Sequence, residues 1–347
     1  MQNRNDILQV LNGVVDGDVT PIEPVAPIEP VAPIEPADVP ARKKKKPGRP
    51  PKNTLNIPVE VHGIVAQPVN AGDIIELIYG KPVLFKKICT LLKGYGVSEV
   101  ELSFDRNGLK IETQDRLKKV RISINISGLC MNMYYCKEPI KVWVKRESLE
   151  RAFGNLGKNH VKVTWLLKGD YRQVLYLIVK EGDYNSDEIH EIDVFYKDPT
   201  QEQARPNDDT NYPLKFKIST KNFKKQLTTI QKRSKTFTIQ KTGREPLQFT
   251  IGKAQNQKDN WTEVFNDEKK IDLHSAIADD DLFNVSVEIA NVIPFSKYSI
   301  GDDVYIAADK KEPISFYCLA DKKEIGWAAS IKIYAEIIKV VPAPAPQ

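Results

Sequence analysis

The sequence predicts an α+β protein made of two similar domains, each with βαβββ-type halves. Three observations carry this. One short helical segment opens with Phe85-Lys-Lys-Ile88 and another with Phe223-Lys-Lys-Gln226. After each comes the same series: a break, a strand-like run, a turn and a second strand-like run. The runs are Val97–Asp105 and Leu109–Thr113 in the first series, and Thr236–Gln240 and Leu247–Ile251 in the second. Between the two series, residues 198–211 turn polar and include Pro199 and Pro206, which reads as a connector between domains. A recurrence over a whole domain length means a duplicated domain, not a solenoid of short units.

Taken in chain order, residues 1–70 read as a tail. Pro21-Ile-Glu-Pro-Val-Ala repeats at Pro27 and, imperfectly, at Pro33. Proline at this density removes amide donors and favours extended polyproline II, a semi-rigid spacer. The first domain, 71–197, opens with a strand at Ile74–Tyr79. Pro82 suits the first turn of the helix that follows. There Phe85, Ile88, Cys89 and Leu92 share one face, and Lys86, Lys87 and Lys93 lie away from it. Gly94 and Gly96 end the helix. Strands are expected near 97–105, 108–115, 118–127 and 140–144, a second short helix at Ser148–Gly154, then strands near 160–168, 172–181 and 189–196. The second domain, 212–340, repeats the scheme from Leu214–Ile218, with Ser219 and Thr220 as helix caps. Its strands are expected near 236–240, 246–252, 261–265, 283–289, 303–308, 314–320 and 325–334. Pro294 should make the segment in the place of its second helix, Asn291–Ile300, irregular. Residues 341–347 read as a loose end.

The chain has 347 residues and a net charge of +5, so total charge does not announce nucleic acid. Its distribution says more. Residues 42–52 hold Arg42, Lys43, Lys44, Lys45, Lys46, Arg49 and Lys52 with no acid among them. The four cysteines, Cys89, Cys130, Cys136 and Cys318, form no C-x-x-C pair and read as buried, reduced thiols. His62, His160, His190 and His274 are scattered, so no metal site and no cofactor are expected. Phosphate-loop and nucleophile-elbow motifs are missing, and no enzyme is expected. Asp279, Asp280 and Asp281 read as a solvated turn, and Tyr134, Tyr135 and Trp143 as strand packing. No run approaches the roughly 18 apolar residues of a membrane span, and the start is too polar for a secretory signal. The expected location is the cytoplasm or nucleus.

Gly108–Asp115, Val120–Ser127, Tyr134-Tyr-Cys136 and Asp309–Tyr317 with Ile331–Ile337 together resemble PCNA-type sliding clamps, over about residues 71–338. Pro47-Gly-Arg-Pro-Pro-Lys52 and Asn211-Tyr-Pro-Leu214 are similar to the PCNA-like proteins of asfarviruses and related large DNA viruses. The resemblance implies a homotrimeric ring whose strands form the outside and whose helices line a central channel around double-stranded DNA. It implies the viral DNA polymerase and other replication proteins as partners, in host cytoplasm or nucleus. On it, Lys86, Lys87 and Lys93 line the hole from the first helix, Arg151 from the second, Lys224 and Lys225 from the third and Lys297 from the fourth. Phosphate contacts carry no sequence information, so such a surface can hold DNA and still slide. The competing reading is that these lysines solvate exposed helix faces.

The family's partner groove maps to Gln114, Lys118, Arg121, Tyr334, Ala335 and Ile337. Gln114, Lys118 and Arg121 are poor walls for an apolar pocket, and Gly154 stands where the family often has a further lysine. Lys46-Pro-Gly-Arg-Pro-Pro-Lys52 partly resembles an AT-hook, with Arg49 for a narrow minor groove. An import signal and a nonspecific phosphate tether compete with it. Two functions of different class follow: a processivity factor, or a clamp-fold late transcription factor or scaffold that recruits viral RNA polymerase without encircling DNA. A tail-driven DNA-binding protein with a structural body is a third.

Overall fold

The computed structural model describes residues 72–182, 187–197, 211–243, 245–251, 262–265, 271–298, 300–323 and 326–338. The basic tail residues Lys43, Lys44, Lys45, Lys46, Arg49 and Lys52, and nearly all of the connector, lie outside them. The first series of elements is β1 (Asp73–Tyr79), α1 (Val83–Gly94), β2 (Glu99–Asp105), β3 (Gly108–Gln114), β4 (Val120–Ser127), β5 (Met133–Cys136), β6 (Ile140–Lys145), α2 (Arg146–Phe153), β7 (His160–Lys168), β8 (Val174–Glu181) and β9 (Asp187–Phe195). The second is β10 (Leu214–Ser219), α3 (Thr220–Gln231), β11 (Thr236–Thr242), β12 (Leu247–Thr250), β13 (Thr262–Phe265), β14 (Asp272–Ser275), β15 (Leu282–Glu288), α4 (Ile293–Tyr298), β16 (Asp303–Ala308), β17 (Ile314–Lys323) and β18 (Gly326–Ala335). The two series match element for element.

Fourteen strands form one antiparallel sheet in the order β14-β10-β16-β17-β18-β4-β3-β2-β6-β9-β8-β7-β1-β5. A second sheet has the order β13-β12-β11-β15. The large sheet is continuous because the last strand of the second series pairs with the fourth strand of the first. β18 meets β4 through Ile331 opposite Ile124 and Ile333 opposite Ile122, all four nearly inaccessible to solvent.

The helices pack on one face of this sheet. Phe85 of α1 lies 5.0 Å from Trp165 of β7, and Phe223 of α3 lies 5.8 Å from Phe316 of β17, between ring centroids. The alternation of apolar residues at three- and four-residue spacing directs these side chains inward. Among the described residues no helix is long and apolar enough to cross a membrane.

The structure departs from the sequence reading in five places. β5 and β14 are additional strands. α2 begins at Arg146, two residues before Ser148. Pro82 is the N-cap of α1 rather than part of its first turn. Residues 293–298 are a regular helix despite Pro294, because proline in a first turn removes an amide that has no helical partner.

Candidate functional site

The four helices lie side by side in the order α2, α1, α4, α3. The contact of α1 with α4 joins the two series. A Cβ on Gly94 would come within 2.9 Å of the Tyr298 ring, so the smallest residue sets how closely the helices approach. Next to it, the buried Tyr95 hydroxyl donates to the Asn291 carbonyl at 3.0 Å and accepts from the Phe295 amide at 3.2 Å. Burial raises the Tyr95 phenol well above its ordinary range, which keeps it protonated and able to donate. Tyr95→Phe should cost about 1–3 kcal/mol, because two buried backbone groups lose their partner. A lower denaturant midpoint at constant slope is the expected result.

Away from the sheet, the row is cationic. Lys87, Arg151, Lys224, Lys225 and Lys297 are all exposed. Arg151 receives support from the Ser148 hydroxyl at 3.2 Å, and Lys297 lies over the Tyr298 ring at 5.2 Å. Two further expected cations are engaged. Lys86 is half-buried and donates to the Leu156 carbonyl at 2.7 Å, which ties α1 to the end of α2. Lys93 pairs with Glu150 of α2 at 2.5 Å, and Arg146 binds the same carboxylate. The Lys93 hydrogen bond, with help from Arg146, holds Glu150 below the usual carboxylate range. A lowered carboxylate keeps its pair above its ordinary range and loses it only as pH falls through the lowered value. Lys93 is therefore partly neutralised at neutral pH.

The structure adds cations beyond those expected from the sequence. Lys221, Lys232, Arg233 and Lys235 are exposed on α3 and just after it. From Ser219 to Lys235 there is no acidic residue, and that is the signal by which the sequence could have shown them. Ser219 caps α3 by accepting from the Asn222 amide.

The expected groove residues meet at the β3–β4 turn and the end of β18. Gln114 pairs with Arg121, and Arg121 with Tyr334. Ala335 is fully buried, so it is core rather than a wall offered to a partner. Ile337 is half-buried and bridges to Val287 of β15. Lys118 is exposed at φ 59° in the turn, a left-handed position that non-glycine residues seldom hold. The Asp115 carboxylate fixes this turn by accepting from Val120 N at 2.7 Å. Leu117, next to Lys118, is 72% exposed and lies outside the expected set. Arg121 approaches Glu112 at 3.4 Å.

The described cysteines are free and buried. Burial pushes the Cys89 thiol up to about 12 and the Cys136 thiol up to about 11, so neither is poised as a thiolate. Tyr134 is buried and donates to the Asp105 and Gly108 carbonyls, and Trp143 lies 4.0 Å under Lys197.

In the solved structures, proliferating cellular nuclear antigen from Entamoeba histolytica matches with a TM-score of 0.62. The match covers 77% of this chain and 100% of that one at 14% identity. The chain has a PCNA-like clamp fold. Among curated proteins, an uncharacterized protein of African swine fever virus, isolate Tick/Malawi/Lil 20-1/1983, is 23% identical over 285 residues. The same protein of isolate Pig/Kenya/KEN-50/1950 is 22% identical. Each alignment covers 79% of this chain and 92% of the viral protein. No family model matches.

Proposed function

We propose that this protein is the DNA sliding clamp of a large DNA virus, a ring of three chains that encircles duplex DNA and tethers the viral DNA polymerase. The observation that carries it is the row of four helices, with Lys87, Arg151, Lys224, Lys225 and Lys297 on its outward face. Each series is read as one clamp domain, 71–197 and 212–340.

Ring closure has a basis in the strand edges. Inside the chain, β18 ends one series and pairs with β4, the fourth strand of the other. The equivalent pair is β9 and β13. Among the described residues β13 pairs only with β12, and β9 leaves the edge of Asp187–Asp193 open on the side away from β8. A second chain can supply the missing partner by repeating the internal junction. Such a heterologous contact closes when its rotation divides the circle. The basic residues 42–52, with their AT-hook-like Arg49, would add a separate contact outside the hole.

Long-product synthesis by the viral polymerase, with and without the protein on a primed circular template, tests the reading. No gain in product length would overturn it. The partner turn, with exposed Leu117 between Arg116 and Lys118 in place of apolar pocket walls, leaves room for a second reading, a clamp-fold late transcription factor or scaffold that recruits viral RNA polymerase. Stimulation of late transcription alone would select that one.

A related result is expected for Glu150→Gln. With the carboxylate charge gone, Lys93 should be free for phosphate, and duplex affinity at low salt should rise several-fold. The log–log salt slope should steepen by up to about 0.9. Unchanged affinity and slope would put Lys93 off the path of DNA.

A further inference from the structure

Given the clamp reading, on which this step rests, we infer that duplex DNA is held chiefly by the second series of each chain. The grip is one stripe of cations from Lys221 to Lys235, and the helices of the first series add little beyond Lys87 and Arg151. On α3 the two faces are cleanly sorted. Phe223, Leu227 and Ile230 are fully buried. Lys221, Lys224, Lys225, Thr228 and Lys232 recur at three- and four-residue spacing on the opposite side, and all are exposed. Lys232 follows the last helical residue but keeps helical angles, φ −71° and ψ −16°, so the stripe runs on unbroken. The Thr228 hydroxyl turns back to the Lys224 carbonyl at 2.7 Å and leaves the lysines unobstructed. Exposed Arg233 and Lys235 extend the stripe past the helix. Their turn is fixed, because the Ile230 carbonyl accepts from the amides of Arg233 and Ser234, both at 2.9 Å.

These charges are available. Among the described residues no ion pair engages any of the six cations. The chain as a whole balances 51 bases with 46 acids, yet residues 219–235 hold six bases and no acid. Asp302 reaches the start of α3, where its carbonyl accepts from Thr220 at 2.8 Å, and the stripe runs away from it. Asp303 lies 3.9 Å from Lys217 of β10.

The first series lacks this stripe position by position. Counted from Phe85 and Phe223, the places of Lys221, Lys232, Arg233 and Lys235 fall on Val83, Gly94, Tyr95 and Val97. Tyr95 and Val97 are buried. Lys86, in the place of Lys224, is taken by the Leu156 carbonyl, and only Lys87 keeps both its charge and its exposure. The neighbouring α2 offers Arg151 but also the exposed Glu147, and its Glu150 neutralises Lys93. The duplicated fold therefore carries its cations on one copy. From Lys221 to Lys232 the helix rises about 16 Å, against one phosphate per roughly 3.4 Å along each strand of the duplex. One stripe can thus meet several phosphates, and a ring of three chains offers three grips separated by three weakly charged walls.

Two measurements on the full chain test this with a linear duplex as probe. In the first, lysines are acetylated with and without DNA and read by mass spectrometry. Lys221, Lys224, Lys225, Lys232 and Lys235 should be protected several-fold, and Lys87 less than any of them. In the second, duplex affinity and its salt slope are compared for two variants. Changing Lys221, Lys224, Lys225, Lys232, Arg233 and Lys235 to alanine should cost more than tenfold at low salt and lower the log–log slope by roughly 4 to 5. Lys87→Ala with Arg151→Ala should lower it by no more than about 1.8. Equal losses in the two variants, or protection of Lys87 as strong as that of Lys232, would spread the grip over both series and overturn the inference while leaving the clamp reading intact. A full chain that does not bind duplex, or binding that neither variant changes, would overturn both.

Discussion

Replacing Lys87, Lys224, Lys225 and Lys297 together with alanine should weaken duplex binding on every sequence tested and flatten its salt dependence. These cations are exposed and distributed over α1, α3 and α4. Each phosphate left without its lysine takes roughly 0.9 off the slope of log K against log salt. Removing all four cations from one chain would therefore lower it by roughly 3 to 4 on the same scale. Lys86 and Lys93 are poorer targets. The first is spent on the Leu156 carbonyl and the second on Glu150, so their removal would mix packing with binding. Because the four chosen side chains point away from the sheet, the melting temperature should hold. An unchanged slope at intact stability would place DNA elsewhere on the molecule.

The second large effect is expected at the strand edges. β9 carries Asp187, Glu188, Glu191 and Asp193, and β13 presents exposed Thr262 and Val264. Thr262→Glu with Val264→Glu would set like charges against that acidic edge. Each such cross-strand pair costs about 0.2–1 kcal/mol, and a ring of three repeats the cost at every junction. The mass in solution should fall from three chains to one at micromolar concentration, and stimulation of long products should go with it. A monomeric parent chain at high concentration, or a variant that stays trimeric, would refute closure through β9 and β13.

Much of this fold is legible in the sequence because its helices are local and periodic. Phe85 with Ile88, Cys89 and Leu92, and Phe223 with Leu227 and Ile230, announce α1 and α3 through spacing alone. β5 and β14 escape for the opposite reason. Each has four residues, Met-Tyr-Tyr-Cys and Asp-Leu-His-Ser, too few for an alternation to register, and both lie at sheet edges where burial does not enforce one. The cationic layer is legible as residue types but not as charges available to a ligand. The capture of Lys93 by Glu150 spans 57 positions in sequence and depends on α1 lying against α2. Ala335 shows the same limit: its place near the groove follows from alignment of residues, whereas its burial follows from pairing with Val120 across β4 and β18.

That same β4–β18 pairing sets a timetable for synthesis. β4 leaves the ribosome with one long edge satisfied by β3, while its other partner is encoded about two hundred residues later, a wait of roughly 10–40 s at 5–20 residues per second. Throughout that interval Ile122, Ile124 and Ile126 line an open strand edge, the kind of surface that invites pairing with another nascent chain. Cells making this protein from crowded polysomes would thus meet their greatest aggregation hazard before release of the carboxy terminus. A ribosome stalled just short of Gly326 should hold a chain that engages holdase chaperones, and extending the transcript through Ala335 should let it go.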